Sequence, residues 1–294
     1  MRIPVLFAKR LRPLAVLLAG LLVLPASMAQ NAPALRSRLA VLHETFANNQ
    51  FGRPLVLEST ETSSGLRGDI YAIVDFPFSM VGQGLTSIDH WCDILILHLN
   101  VKQCQTNAAG KTIALRVGRK FDQPVEDAYM LAFKYRVASN SPDYLQVLLS
   151  ADQGPLSTKD YRIQVEAIPV EEKRSVIHMS YAYDYGFTAR MAMQTYLLTL
   201  GREKVGFSVV DHKDGKPVFI GGVLGLLERN TMRYYLAIDV YLGAYVLAPE
   251  EQTERRIRDW YANTERYARQ LHEMDQANYL DMKRKEIRRE QQPG

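Results

Sequence analysis

The chain has 294 residues, with 36 basic, 32 acidic and 47% hydrophobic residues. Arg2, Lys9, Arg10 and Arg12 stand near its start with no acidic residue beside them. The remainder is therefore balanced in charge, which excludes a nucleic-acid binder driven by a basic surface, and its length and apolar content suit a globular protein with a sizeable core.

Met1 to Ala29 reads as a secretory signal peptide. The four basic residues form its positive region, and Leu14 to Leu24 forms an apolar run too short to span a bilayer comfortably. Pro25 ends that run, and Ser27-Met28-Ala29 offers a cleavage site before Gln30. The mature chain is expected in the periplasm or outside the cell, with no other transmembrane segment.

Residues 30–52 form an N-terminal helical unit, because Leu35, Leu39, Leu42 and Phe46 recur at helical spacing before Phe51-Gly52-Arg53-Pro54 stops them. Leu55 to Leu57 is a short extended run, Ser63-Ser64-Gly65 a turn, and Asp69 to Phe76 a strand ended by Pro77. Residues 79–98 read as helical, weakened at Gly82 and Gly84. Strands are expected over 113–117, 129–137, 144–150, 161–167 and 176–185. The run from Tyr161 to Ala167 has the cleanest period of two. With no helices between them, these strands predict an antiparallel meander. Helices follow at 188–200, carrying Met191 and Met193, and at 228–245. Asp214-Gly215 marks a turn between them. A single helix is expected from Pro249 to about Arg289.

Cys92 and Cys104 are the only cysteines. In an oxidising compartment they are expected to form a disulfide, the alternative being two buried thiols.

The stretch Gly68-Asp69-Ile70-Tyr71-Ala72-Ile73-Val74-Asp75-Phe76-Pro77-Phe78, leading into a helix near Trp91, resembles the first strand of the START-like helix-grip superfamily. Tyr161 to Pro169 followed by Ser175 to Tyr185 resembles that family's last hairpin. The resemblance implies an α+β fold in which a curved antiparallel sheet wraps a helix, with an apolar cavity between them. It would cover residues 53–210, with 188–200 starting the closing helix and 211–294 a helical C-terminal extension.

Several residues are candidates for a ligand site. Trp91 is one. Tyr129, Phe133 and Tyr135 share one strand face, and Tyr181, Tyr183 and Tyr185 another. They would line a cavity for an amphipathic ligand or simply pack the sheet. Met191 would face cavity or core. Arg229 and Arg233, at i,i+4, would grip a phosphate or carboxylate, or would pair with Glu228 and Asp239. His90 and Asp93 are too few for a zinc site. His98, His178 and His212 have no helper nearby in sequence.

No G-x-S-x-G, H-E-x-x-H or phosphate-loop motif occurs. No cofactor, no metal and no catalytic residue is expected. The expected role is non-catalytic binding or carriage of a lipid or other hydrophobic molecule. One alternative is an envelope interaction protein with a filled cavity, docking through the C-terminal helix. The other is a cyclase- or hydrolase-type enzyme. Lys283, Arg284, Lys285, Arg288 and Arg289 would allow peripheral contact with anionic lipid, or would form a solvated helix end.

Overall fold

The computed structural model describes residues 32–63, 65–186, 191 and 203–290. The leader and the expected 188–200 helix lie outside the described residues, apart from Met191.

Helix α1 (Ala32–Ala47) precedes strands β1 (Leu55–Glu61) and β2 (Gly65–Val74). Helices α2 (Phe78–Leu85) and α3 (Ile88–Leu95) follow. The stretch read as a single weakened helix is thus a pair, broken at Thr86-Ser87. Six further strands then run in a meander: β3 (Val101–Asn107), β4 (Thr112–Val117), β5 (Tyr129–Ser141), β6 (Tyr144–Gln153), β7 (Thr158–Glu171) and β8 (Arg174–Tyr185). All pair antiparallel, in the order β1-β2-β8-β7-β6-β5-β4-β3. Register shifts at Val137/Ser139, Lys159/Arg162 and Pro169/Glu171 bend the long strands. This is the expected α+β arrangement of one antiparallel sheet packed with helices.

Strand β3 has no clear period-two signal in sequence. Lys102 and Cys104 occupy buried positions there, and each is held by a partner distant in sequence. Cys92 on α3 and Cys104 on β3 form a disulfide, with Cα atoms 5.3 Å apart. Closing that short loop restricts the unfolded chain. Replacing both cysteines by serine is expected to lower stability by about 2–3 kcal/mol, scaled from loop length. Urea denaturation of the two proteins under oxidising conditions checks this, and an unchanged midpoint would refute it.

A small hairpin, β9 (Val209–Lys213) and β10 (Lys216–Phe219), turns at Asp214-Gly215. Both residues have positive φ, 52° and 73°, as a two-residue hairpin turn requires. Helix α4 (Gly222–Ala244) lies across β1, β2 and β8 and against α3. It approaches closely at Gly68, where a Cβ would overlap Thr231 Oγ1. Residues beyond 210 were expected to form an extension. Instead, α4 belongs to the main core: Leu227, Met232, Leu236, Ile238 and Tyr241 share one cluster with Phe133, Ile163 and Met179 of the sheet.

The expected long C-terminal helix is three pieces: α5 (Pro249–Glu265), α6 (Ala268–Leu271) and α7 (Gln276–Glu290). Asp275 Oδ1 accepts the Asn278 N–H at 2.9 Å and so opens α7 as a new helix. Helix α7 covers the β3 edge, where Glu290 accepts the Cys104 N–H at 2.5 Å. Three residues of the expected basic patch are engaged inside the protein. Lys283 is fully buried, Arg284 pairs with Glu254 at 2.6 Å, and Lys285 pairs with Asp122 at 2.5 Å.

Helix α1 covers the other face of the sheet. Its Leu35 and Leu42 pack with Val56, Tyr71, Tyr144, Ile168 and Val176 in a second cluster.

Candidate functional site

Alternation along β8 divides its residues between the two faces. Tyr181, Tyr183 and Tyr185 face α4. His178, Ser180 and Ala182 take the opposite parity and face the α1 side. Ala182 therefore points away from α4.

On the inner face, Tyr161 of β7 stacks on Tyr183 with ring centroids 5.1 Å apart, and Tyr181 lies 5.5 Å from Tyr183. Tyr234 of α4 closes on them from above, 5.1 Å from Tyr181. The other side of Tyr234 stacks on His98 at 4.7 Å. Tyr234 is only partly buried, although it faces inward between Tyr181 and His98.

This aromatic wall carries polar atoms. Tyr161 donates to Thr158 Oγ1 at 2.8 Å. Among the described residues the hydroxyls of Tyr181 and Tyr234 have no hydrogen-bond partner. Burial pushes both phenols well above or above their ordinary range, so both are neutral donors and acceptors. His98 is 3% exposed. Its Nδ1 accepts the Asn100 N–H at 3.2 Å, which assigns the proton to Nε2. That Nε2 is buried without a partner among the described residues. Burial, with the charges of Arg233, Lys283 and Lys120 behind it, holds His98 well below the ordinary imidazole value. It is a neutral donor.

Beyond His98 lies a charged cluster. Glu273, in the turn between α6 and α7, meets Lys120 at 2.5 Å, Arg233 at 2.8 Å and Lys204 at 3.3 Å. Burial by itself raises the Glu273 carboxyl, but Arg233, Lys120 and Lys204 outweigh it and hold it at about 2. Burial and then the Arg233 charge bring Lys120 down to about 8. Arg229 is fully buried, with Nη1 3.4 Å from Val205 O.

The expected site residues separate accordingly. Tyr181 and Tyr183 stand on the wall, and Arg229 and Arg233 near its charged end. Trp91 is fully buried and donates to Leu85 O at 2.9 Å; it is a core residue. Phe133 is also core. Tyr135 donates to Thr86 O at 2.6 Å, which ties β5 to the helix pair. Tyr185 donates to Glu61 Oε1 at 2.7 Å at the strand end. Tyr129 is 53% exposed, beyond the helical cover, and Met191 is 47% exposed. Of the two carboxylates expected to pair with arginine, Asp239 does so with Arg53 at 2.8 Å. Glu228 instead accepts from the Phe207 and Ser208 amides and the Ser59 and Ser208 hydroxyls. Arg233 finds Glu273. Sequence reading missed Tyr161, Tyr234, His98, Lys120, Lys204 and Glu273 as site residues. Only Tyr161 carried a signal, sharing its strand parity with Ile163 and Val165.

The opposite face of the sheet holds a separate polar network. His178 Nε2 meets Asp69 Oδ1 at 2.8 Å and its Nδ1 meets Glu166 Oε2 at 2.7 Å. Tyr71 stacks on the imidazole, 4.2 Å away and within 3° of parallel. Arg67 pairs with Asp69 at 2.8 Å, while the Tyr144 hydroxyl and Gln164 serve Glu166. Burial lowers and the two carboxylates raise the His178 value; the carboxylates prevail. Burial raises Asp69, but His178 and Arg67 bring it down to about 2. The imidazole is flanked by two carboxylates and closed in.

No family model and no curated protein matches the chain. Among solved structures it is similar to human StAR-related lipid transfer protein 5, at 8% identity and a TM-score of 0.35, over 73% of this chain and 97% of that one. Truncated norcoclaurine synthase from Thalictrum flavum is similar at 15% identity and 0.33, over 49% and 89%. A START superfamily protein from Mycobacterium smegmatis is similar at 8% and 0.32, over 47% and 90%.

Proposed function

We propose that this helix-grip protein binds an amphipathic hydrophobic molecule between its sheet and helix α4, and carries it in the periplasm or cell envelope without chemical change. The observation behind this reading is the inner wall of stacked tyrosines. It sets two phenol hydroxyls and the His98 Nε2–H, all without partners among the described residues, within an aromatic surface. A buried polar atom left alone, as His98 Nε2 is, costs about 1–3 kcal/mol, and polar points in an apolar wall are how binding sites orient a ligand.

Binding is favoured over catalysis by the placement of the acid–base groups. Asp69, His178 and Glu166 lie on the far face of the sheet, buried under α1 and fully engaged with one another. Docking through the C-terminal helix is disfavoured because α7 already spends its buried face on β3. The leader-like Met1–Ala29 stretch and the disulfide support the envelope location.

The double variant Tyr181→Phe/Tyr234→Phe tests the reading. Without ligand it should be about as stable as the parent, because phenylalanine keeps both rings in place. Its affinity for an oleoyl amphiphile, measured by calorimetry, should fall about tenfold, equivalent to about one hydrogen bond. Unchanged affinity in the folded variant would remove this wall from the binding site.

A further inference from the structure

Helix α5 ends at Glu265, and the break that follows shapes a cleft that shares no residue with the tyrosine wall. Tyr267 leaves the helical region, with φ −120° and ψ 40°, before α6 begins at Ala268. Arg266, Tyr267 and Arg269 thereby come to line a cleft of about 390 Å³ together with Pro217 and Phe219 of the hairpin. Tyr267 and Phe219 are half-buried and give the cleft apolar ring faces. Phe51 and Phe207 back Tyr267, with ring centroids 6.0 and 5.7 Å away and both pairs edge-on. The polar atoms of this floor are engaged inside the protein. The Tyr267 hydroxyl donates to Phe51 O at 3.1 Å, and Gln50 Nε2 donates to Phe207 O at 2.6 Å. The floor is therefore preformed and apolar, as small-molecule sites usually are.

The rim is cationic. Arg266 and Arg269 are both exposed, and neither guanidinium has a hydrogen bond or ion pair among the described residues. Among those residues no carboxylate lines the cleft. The acids that flank the break in sequence are engaged elsewhere: Glu265 with His272 at 3.0 Å, and Glu273 with Lys120, Lys204 and Arg233. The Arg266 charge also reaches the floor, since burial raises the Tyr267 phenol while the Arg53 and Arg266 charges oppose that rise. Two free guanidiniums beside ring faces select an anion with a flat body. A guanidinium fork matches a carboxylate at two points and stacks on aromatic faces. The rings of Tyr267 and Phe219 favour an aromatic body through offset or edge-on packing. The volume lies near the small end of ligand sites and suits a body of one or two rings.

We propose that Arg266 and Arg269, with Tyr267 and Phe219 as the apolar faces, form a binding site for a compact aromatic carboxylate. The carboxylate meets the guanidiniums at the rim, and the ring packs on Tyr267 and Phe219. This site is additional to the one proposed between the sheet and α4 and does not depend on it.

The test uses the whole chain and three probes: 2-naphthoate, its neutral analogue 2-naphthamide, and cyclohexanecarboxylate. Calorimetry gives the affinities, and amide shifts in NMR spectra locate the site. Naphthoate should bind at least about fivefold tighter than naphthamide, the scale of exposed charge contacts. Added salt should narrow that gap. Naphthoate should also bind tighter than cyclohexanecarboxylate, which keeps the charge and lacks the flat ring. The shifts should centre on residues 218–219 and 266–270. The double variant Arg266→Gln/Arg269→Gln should bring naphthoate down to the affinity of naphthamide. It should leave naphthamide binding and the melting temperature as in the parent, because both side chains are exposed and unpaired. Tyr181→Phe/Tyr234→Phe should leave naphthoate affinity unchanged. Equal affinity for naphthoate and naphthamide, or a preference that survives loss of both arginines, would overturn the proposal. Shifts centred on Tyr181 and Tyr234 would place the ligand at the tyrosine wall and overturn it as well. So would the absence of naphthoate binding at millimolar concentration.

Discussion

Replacing His178 by leucine should destabilise the protein by about 3–5 kcal/mol, the range for removing one partner from a buried charge network. The substitution leaves Asp69 and Glu166 facing each other, with only Arg67 to offset the first. The loss of the Tyr71 stack adds to the effect. The pH dependence carries a sharper signature. Asp69 is depressed to about 2 in the fold, so its contribution is complete above the unfolded value of about 4 and disappears as pH falls toward 2. His178 is raised, so its contribution is complete below the unfolded value of about 6.5 and disappears as pH rises through the folded one. The network is thus strongest between about pH 4 and 6.5. In the leucine variant the orphaned carboxylates should instead bind protons on folding, and stability should keep rising on acidification through that window. Urea midpoints at several pH values decide the matter. A variant within about 1 kcal/mol of the parent at pH 5, with a parallel pH profile, would show the network to be unimportant.

The Lys283→Met variant should lose a comparable amount, about 3–5 kcal/mol, and should lose it locally. The ammonium donates to His98 O at 2.8 Å, to Val101 O at 2.9 Å and to Glu286 Oε2 at 2.7 Å. Lys102 holds the other oxygen of Glu286 at 3.0 Å and Leu99 O at 2.9 Å. Burial, offset in part by Glu286, brings Lys283 down to about 8. Methionine keeps most of the volume and removes all three bonds, and the His98 carbonyl keeps only the Val101 N–H at 3.0 Å. Because these bonds join α7 to β3, the amides of α7 and β3 should exchange with solvent well before those of β7 and β8. Limited proteolysis should release the C-terminal helix first. Retention of parental exchange rates in β3 would refute the assignment of Lys283 as the anchor of α7.

Both of these lysine and histidine sites were opaque in sequence for one reason: their partners come from other elements. His178 lies in a strand whose local neighbours are Ile177, Met179 and Ser180. Its carboxylates arrive through register, Glu166 from β7 and Asp69 from β2. Lys283 looked like one more charge at a basic helix end. It is buried only because Asp275 starts a new helix that folds back over the sheet edge. The break at 272–275 also places Glu273 beside Lys120, Lys204 and Arg233.

The local signals were strong where a single element suffices to express them. Period-two alternation identified β4, β5 and the start of β7, since one face of each is the more buried. Leu35, Leu39, Leu42 and Phe46 gave α1, and Asp214-Gly215 gave the hairpin turn. The cysteine pair was expected to join, and does. These features depend on residues within one turn or one pleat, so sequence by itself determined most strands of the large sheet, α1 and α4.

Tertiary structure alone decided which aromatics meet. Tyr129, Tyr181 and Tyr185 carry the same side chain and each sits at an inward-facing strand parity. Only Tyr181 lies beneath α4, Tyr185 reaches Glu61 at a strand end, and Tyr129 runs out beyond the helical cover. Parity is a property of one strand, whereas cover is set by where α4 crosses the sheet. That crossing depends on Gly68, Thr231 and the whole packed core, and no local pattern encodes it.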